Sequence, residues 1–237
     1  MQMKCFKKSI RIAILYAFLG ICLPSVFSEQ LYVYYPSLSR PHVIQKELTN
    51  DIPGVQVTVF GLRDDFNAQV KSAPPDAILA KGALTAMYPD YTMALSGVVN
   101  GKTTEQYLLL YIKAQLTTDN MPQRTIGVVD ILPKKELETF VETLLLAKVK
   151  LKRVKKIEDL LPLLSFGMAD AILVPESQAA YFKNVSNLDF KEIRLETAAA
   201  PIASVCVRQN TAAPIILKHI RKLSGNINTM LGVDTWR

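Results

Sequence analysis

The chain has 237 residues, 28 of them lysine or arginine and 21 aspartate or glutamate, with 49% hydrophobic residues. Four cations, Lys4, Lys7, Lys8 and Arg11, lie in the first 28 residues, and removing them takes the net charge from +7 to about +3, which does not suit a nucleic-acid binder. Cys5 and Cys22 lie in the same segment, so Cys206 is the only cysteine beyond it; no intrachain disulfide staples the remainder, which must stand on its own apolar core.

The basic head is followed by an apolar run from Ile12 to Leu23, a break at Pro24, and modest side chains in Val26-Phe27-Ser28. This is the layout of a secretory signal peptide cut after Ser28. The apolar run is short of the roughly 20 residues of a membrane-spanning helix; an uncleaved anchor is the alternative. Ile21 precedes Cys22 where lipid attachment normally needs a small residue, which argues against a lipoprotein. Glu29 to Arg237 is enough chain for one large domain or two small ones. An exported chain without a disulfide suits a bacterial envelope, in which Asn184-Val185-Ser186 is no glycosylation site.

Strand and helix patterns then alternate. Leu31 to Tyr35 is rich in β-formers and ends at Pro36. Ser39 can cap a helix running to about Asn50, with Pro41 tolerated in the first turn. Pro53-Gly54 marks a turn before a second strand, Val55 to Phe60. A polar helix over Asp64 to Lys71 stops at Pro74-Pro75, and Asp76 to Ala80 is a third strand. A second run of the same kind starts with the strand Thr125 to Asp130. Pro133 opens a helix whose stripe is Leu137, Phe140, Val141, Leu144 and Leu145. Val149 to Val154 is a strand, Glu158 to Phe166 a helix ended by Gly167, and Ala169 to Val174 a further strand. Ile202 to Val207 is the last strand, before a final helix capped by Thr211 and closed by Gly225.

Two such units predict an α/β fold of two lobes, each a mostly parallel sheet flanked by helices. The chain is expected to cross between lobes near 107–114 and 202–209. Lobe 1 is then 29–111 plus 207–237, and lobe 2 is 112–206.

Four stretches resemble the type II periplasmic solute-binding proteins of ABC uptake systems: Leu31 to Pro36; Val98-Val99-Asn100-Gly101-Lys102 with Tyr107 to Tyr111; Arg124 to Asp130; and Leu163 to Ala171 with its Gly-x-Ala-Asp-Ala junction. The phosphonate and phosphite type is the most similar branch. The resemblance implies a two-lobed type II fold with two hinge crossovers, and a periplasmic protein, expected to be a monomer without cofactor or metal. It would capture a small polar ligand for a membrane permease, or in the alternative report it to a membrane sensor. Gly167 is expected to end its helix in a left-handed conformation. Two departures bear on the ligand. The turn Asp130-Ile131-Leu132-Pro133-Lys134 offers no hydroxyl to a phosphonate, and no arginine lies between Met87 and Tyr111 to meet an amino-acid carboxylate.

In two lobes of this kind a ligand lies beyond the carboxyl ends of the strands. That places the candidates at Tyr35, Ser37, Ser39 and Arg40 after the first strand, and at Lys81, Thr85 and Tyr88 after the third. Thr103 and Thr104 lie near the crossover, and Asp130, Glu176 and Ser177 in lobe 2. Each has a plainer reading: a tyrosine as core, Lys81 as a solvated loop charge, Glu176 as a helix cap. The run Lys148, Lys150, Lys152, Arg153, Lys155 and Lys156 reads as a solvated strand edge, where lysines discourage stray pairing, rather than a patch for an acidic partner. Only His42 and His219 exist, no metal spacing occurs, and neither a nucleophile elbow nor a phosphate loop is present, so binding without catalysis is expected. An envelope hydrolase or transferase is the remaining class.

Overall fold

The computed structural model describes residues 28–113, 116–117 and 120–237, without the side chains of residues 196–198. The expected signal segment lies outside the described residues except for Ser28, and no helix among those described is long and apolar enough to cross a membrane.

Two sheets organise the chain. The first contains β1 (Glu29–Tyr34), β2 (Val55–Phe60), β3 (Ala77–Lys81), β4 (Tyr91–Val98), β10 (Ala203–Arg208) and β11 (Thr235–Trp236), in the order β11-β4-β10-β3-β1-β2. The second contains β5 (Thr104–Tyr111), β6 (Thr125–Val129), β7 (Lys150–Val154), β8 (Ala171–Pro175) and β9 (Lys191–Pro201), in the order β7-β6-β8-β5-β9. Both are mixed. Three strands run parallel at one side of each (β3-β1-β2 and β7-β6-β8), and the strands arriving from the other sheet run antiparallel. The lysine-rich strand β7 is an edge strand, with Lys150 and Lys152 exposed.

Side chains alternate between faces, as a pleated strand requires. Leu31, Val33 and Tyr35 pack on one face of the first sheet under α1 (Pro41–Asp51), through its Ile44 and Leu48. Tyr32 and Tyr34 point the other way, toward Phe66 and Val70 of α2 (Arg63–Ser72). In the second sheet α4 (Lys134–Leu145) covers the face of Ile126 and Val128. The opposite face, with Leu108, Ile172 and Val174, carries α5 (Leu160–Ser165) and α6 (Glu176–Val185). One apolar cluster runs through both sheets, joining Tyr34, Ile78 and Leu84 to Tyr107, Leu137 and Leu173.

A repeated tetrapeptide has a structural reason. Asp76-Ala77-Ile78-Leu79 and Asp170-Ala171-Ile172-Leu173 enter the third parallel strand of their sheets. The Asp76 carboxylate accepts from Gln30 N at 2.9 Å, and the Asp170 carboxylate from Thr125 N at 2.8 Å. Each aspartate thus ties the start of its strand to that of its parallel neighbour, and each also meets an arginine, Arg208 or Arg124. Gly167 adopts φ +66°, and Met168 N and Ala169 N both return to Leu163 O, ending the helix as expected.

Three local expectations are corrected. All of β5 lies in the second sheet and all of β10 in the first, so the crossings fall at residues 98–104 and 201–203, earlier than expected. At the first, Asn100 and Gly101 both have positive φ, and Val99 and Lys102 exchange two 2.9 Å hydrogen bonds: a tight turn passes the chain from sheet to sheet. Ser39 does not cap α1. Its N–H donates to Ser37 Oγ, and Arg40 takes the cap position with no side-chain bond. The final helix is two short ones, α7 (Pro214–Ile220) and α8 (Gly225–Met230). Ala213 precedes the first, and Ser224 caps the second by accepting from Ile227 N, so Gly225 opens a helix instead of closing one.

Candidate functional site

The carboxyl ends of β1 and β2 carry Tyr34, Tyr35, Phe60, Gly61 and Leu62, and the loop from Pro36 to Arg40 leads into the first turn of α1 at Pro41 and His42. Across from them stands the turn after β7, with Lys155, Lys156, Ile157 and Glu158. The cleft between these walls has a volume of about 620 Å³, within the roughly 300–1,000 Å³ of small-molecule sites. Both walls are the carboxyl ends of parallel strands, where α/β sheets bind ligands, because connections diverge there and leave a crevice. Tyr35, Ser37, Ser39 and Arg40 therefore stand together on one wall. Ser37 shapes that wall: its hydroxyl donates to Met230 O at 3.0 Å and accepts from Ser39 N at 3.2 Å.

Deeper between the sheets the space is closed by the chain's own charges. Lys81, at the end of β3 and 4% exposed, pairs with Glu105 of β5, 8% exposed. Its ammonium also lies 4.8 Å from the centroid of the Tyr35 ring, and Ser177 Oγ, in the first turn of α6, donates to Glu105 Oε2 at 3.2 Å. Burial alone would lower the proton affinity of Lys81. The Tyr35, Glu105 and Tyr107 side chains around it, with the hydrogen bond to Glu105, hold it above its ordinary value instead. Burial raises the phenols of Tyr35 and Tyr107, against the pull of Lys81. Beneath this cluster lies an apolar cavity of about 40 Å³ between Pro36, Lys81, Tyr107, Phe140, Leu173 and Pro175, roomy enough for little more than a water.

A second charged link joins the sheets. Asp130, at the end of β6, pairs with Arg153 of β7, whose Nε lies 3.1 Å away, and with Arg63 of α2 at 3.5 Å. Arg63 Nε is buried without a hydrogen-bond partner. Gln178 of α6 reaches Pro36 O at 3.5 Å across the same divide.

The remaining candidates are scattered. Thr85 is buried and donates to Gly82 O within its own turn, α3 (Gly82–Thr85). Tyr88 bonds Asn67 and stacks edge-on with Phe66 and Tyr91, beside a different surface groove; burial pushes its hydroxyl up to about 12. Thr103 and Thr104 lie at the first crossing, where Thr103 O accepts from Ile202 N. Glu176 pairs with Arg194 at 2.8 Å, on the surface. Lys81 is no solvated loop charge, because β3 runs one residue further than expected and buries it. Glu105, Arg63, Lys155 and Lys156 were not among the candidates. A glutamate at the head of an apolar strand was the one available signal for Glu105, and Lys155 and Lys156 lie just past the strand whose edge explains the other lysines. Among the described residues no group of three or more His, Cys, Asp or Glu could hold a metal.

No protein-family model matches the chain, and no curated protein matches it in sequence. Solved structures do match in shape. The amino-acid ABC transporter substrate-binding protein AbpA from Streptococcus pneumoniae, bound to L-arginine, superposes with a TM-score of 0.58 at 17% identity, over 86% of this chain and 93% of that one. The VFT2 domain of Bordetella pertussis BvgS, as a double mutant, does so with 0.60 at 11% identity, over 94% and 97%. A Xanthomonas citri protein bound to ATP gives 0.65 at 11% identity, over 89% and 91%. These likenesses show the fold: two mixed sheets flanked by helices, in the two-lobed type II periplasmic-binding-protein arrangement.

Proposed function

We propose that this two-lobed protein is exported to the periplasm and captures a small polar ligand for ABC-type uptake, by binding and without bond chemistry. The observation that carries the reading is the 620 Å³ cleft walled by the carboxyl strand ends of both sheets. A ligand touching both walls favours the closed arrangement, because only that arrangement makes both sets of contacts. The bending would fall at the two crossings, Asn100-Gly101 and Pro201-Ile202. The structural neighbours are consistent with binding: one is complexed with L-arginine and another with ATP. The phosphonate and phosphite branch is the finer assignment, supported by the strand and junction stretches and opposed by the hydroxyl-free turn 130–134.

The test is a thermal-shift screen of small anions, amines, amino acids and sugars. A ligand at a hundredfold excess over its Kd stabilises the fold by about 2.7 kcal/mol. A broad panel without any shift retires the reading.

A sensory role in the same compartment is the second reading. It is favoured by the buried Lys81–Glu105 pair, which ties the sheets together through the chain's own charges. Scattering separates the two. Uptake predicts a smaller radius of gyration on adding a ligand from the screen, whereas a module already tied shut gains stability without compaction.

A further inference from the structure

We propose that the cleft selects a small organic anion, held at its mouth between Arg40 and the Lys155-Lys156 pair, with the ligand's apolar body against Leu38, Phe60 and Leu62. This rests on the binding reading above and adds the chemical class. Three permanent cations line the cleft, Arg40 from the first sheet's side and Lys155 and Lys156 from the second's, against one carboxylate, Glu158. None of the three cations has an ion pair among the described residues, and Asp130 at the end of β6 is taken by Arg153 and Arg63. The first turn of α1 adds no acidic residue, and no side chain caps it. Opposing cations on two walls repel as the walls approach, and an anion between them removes that cost and links them. The apolar part follows from the other lining groups. Leu38 is 43% exposed, and Phe60 and Leu62 are half-buried beside it. The central position is sealed: Lys81 and Glu105 satisfy each other under Tyr35, so neither is offered to the ligand.

Four probes of one shape and different charge test this: benzoate, phenyl phosphate, benzylamine and benzyl alcohol, by calorimetry and thermal shift on the protein without its signal segment. The two acids bind and raise Tm, and their affinity falls with added salt, because exposed charges are screened over about 10 Å at 0.1 M. The amine and the alcohol do not bind. The variant pair Lys155→Gln/Lys156→Gln weakens both acids about tenfold, because two exposed charges facing the anion are lost together, and Arg40→Gln weakens them a few-fold. All three side chains are exposed, so the unfolding midpoint stays unchanged. Amine or alcohol binding as tightly as the acids overturns the ligand class and leaves the binding reading standing. Acid binding that the variants do not alter overturns the site. Silence from these four overturns the class while the broad screen gives a hit, and overturns both readings when that screen is also silent.

Discussion

Lys81 and Glu105 belong to different sheets yet form one buried ion pair, at the point where a ligand-binding α/β protein of two lobes would be expected to open. Tyr35 covers the ammonium, and Ser177 donates to the far carboxylate oxygen. The pair costs desolvation on both sides, and its value lies in register: it fixes how the ends of β3 and β5 meet.

Removing one partner leaves the other charge buried alone, at roughly 3–5 kcal/mol. Lys81→Met and Glu105→Leu are each expected to lower stability by about that much, and the double variant to recover most of it. Urea unfolding of the four proteins completes the cycle. Additive losses would show that the two side chains do not depend on each other.

Alkali should weaken the fold. Lys81 has an ordinary value of 10.5 and the tyrosines 10.0, and Lys81, Tyr35 and Tyr107 are all raised in the folded chain. Tyr88 and Tyr91 are pushed by burial to about 12. The folded chain therefore keeps protons that the unfolded chain has released. The stability these groups contribute is complete below about pH 10; the part from Tyr88 and Tyr91 is lost as pH rises through 10 to 12, and the loss from Lys81, Tyr35 and Tyr107 begins in the same range and continues above it. Urea midpoints should be level from pH 7 to 9 and fall above 10; a rise there would contradict the assignment.

The paired aspartates make a prediction for each sheet. Asp76→Ala and Asp170→Ala each leave a strand-start N–H without its charged acceptor, at about 1–3 kcal/mol. The residues serve different sheets and share no partner, so the losses should add within about 0.5 kcal/mol. Denaturation midpoints of the single and double variants check this.

Gly82 sits under the second crossing, its N–H donating to Ile202 O at 2.7 Å. A Cβ there would stand 2.4 Å from Pro201 Cβ and 3.1 Å from Ser204 Oγ. Gly82→Ala is expected to cost roughly 1–3 kcal/mol by overpacking. Gly225→Ala, which meets nothing within 4 Å, is the control and should leave the melting temperature unchanged or slightly higher.

Most strands and helices were legible because their patterns are local. Leu31-Tyr32-Val33-Tyr34-Tyr35 alternates between two faces that are both buried, and Leu137, Val141 and Leu144 mark one side of a helix. Strands β4 and β9 were not. Tyr91–Val98 is mostly exposed over its first half, and Lys191–Pro201 begins as a charged edge. Neither advertises a buried face.

By itself the amino-acid order determined a two-lobed α/β chain, its lysine-guarded edge strand and its left-handed Gly167, because each depends on neighbours a few residues away. Only the tertiary structure decided which sheet takes β5 and β10, where Lys81 goes, and which side chains line the cleft. A strand apolar on both faces fits either sheet equally well. A lysine at a strand end is solvated or buried according to a glutamate 24 positions later, and that pairing exists only once the two sheets have met.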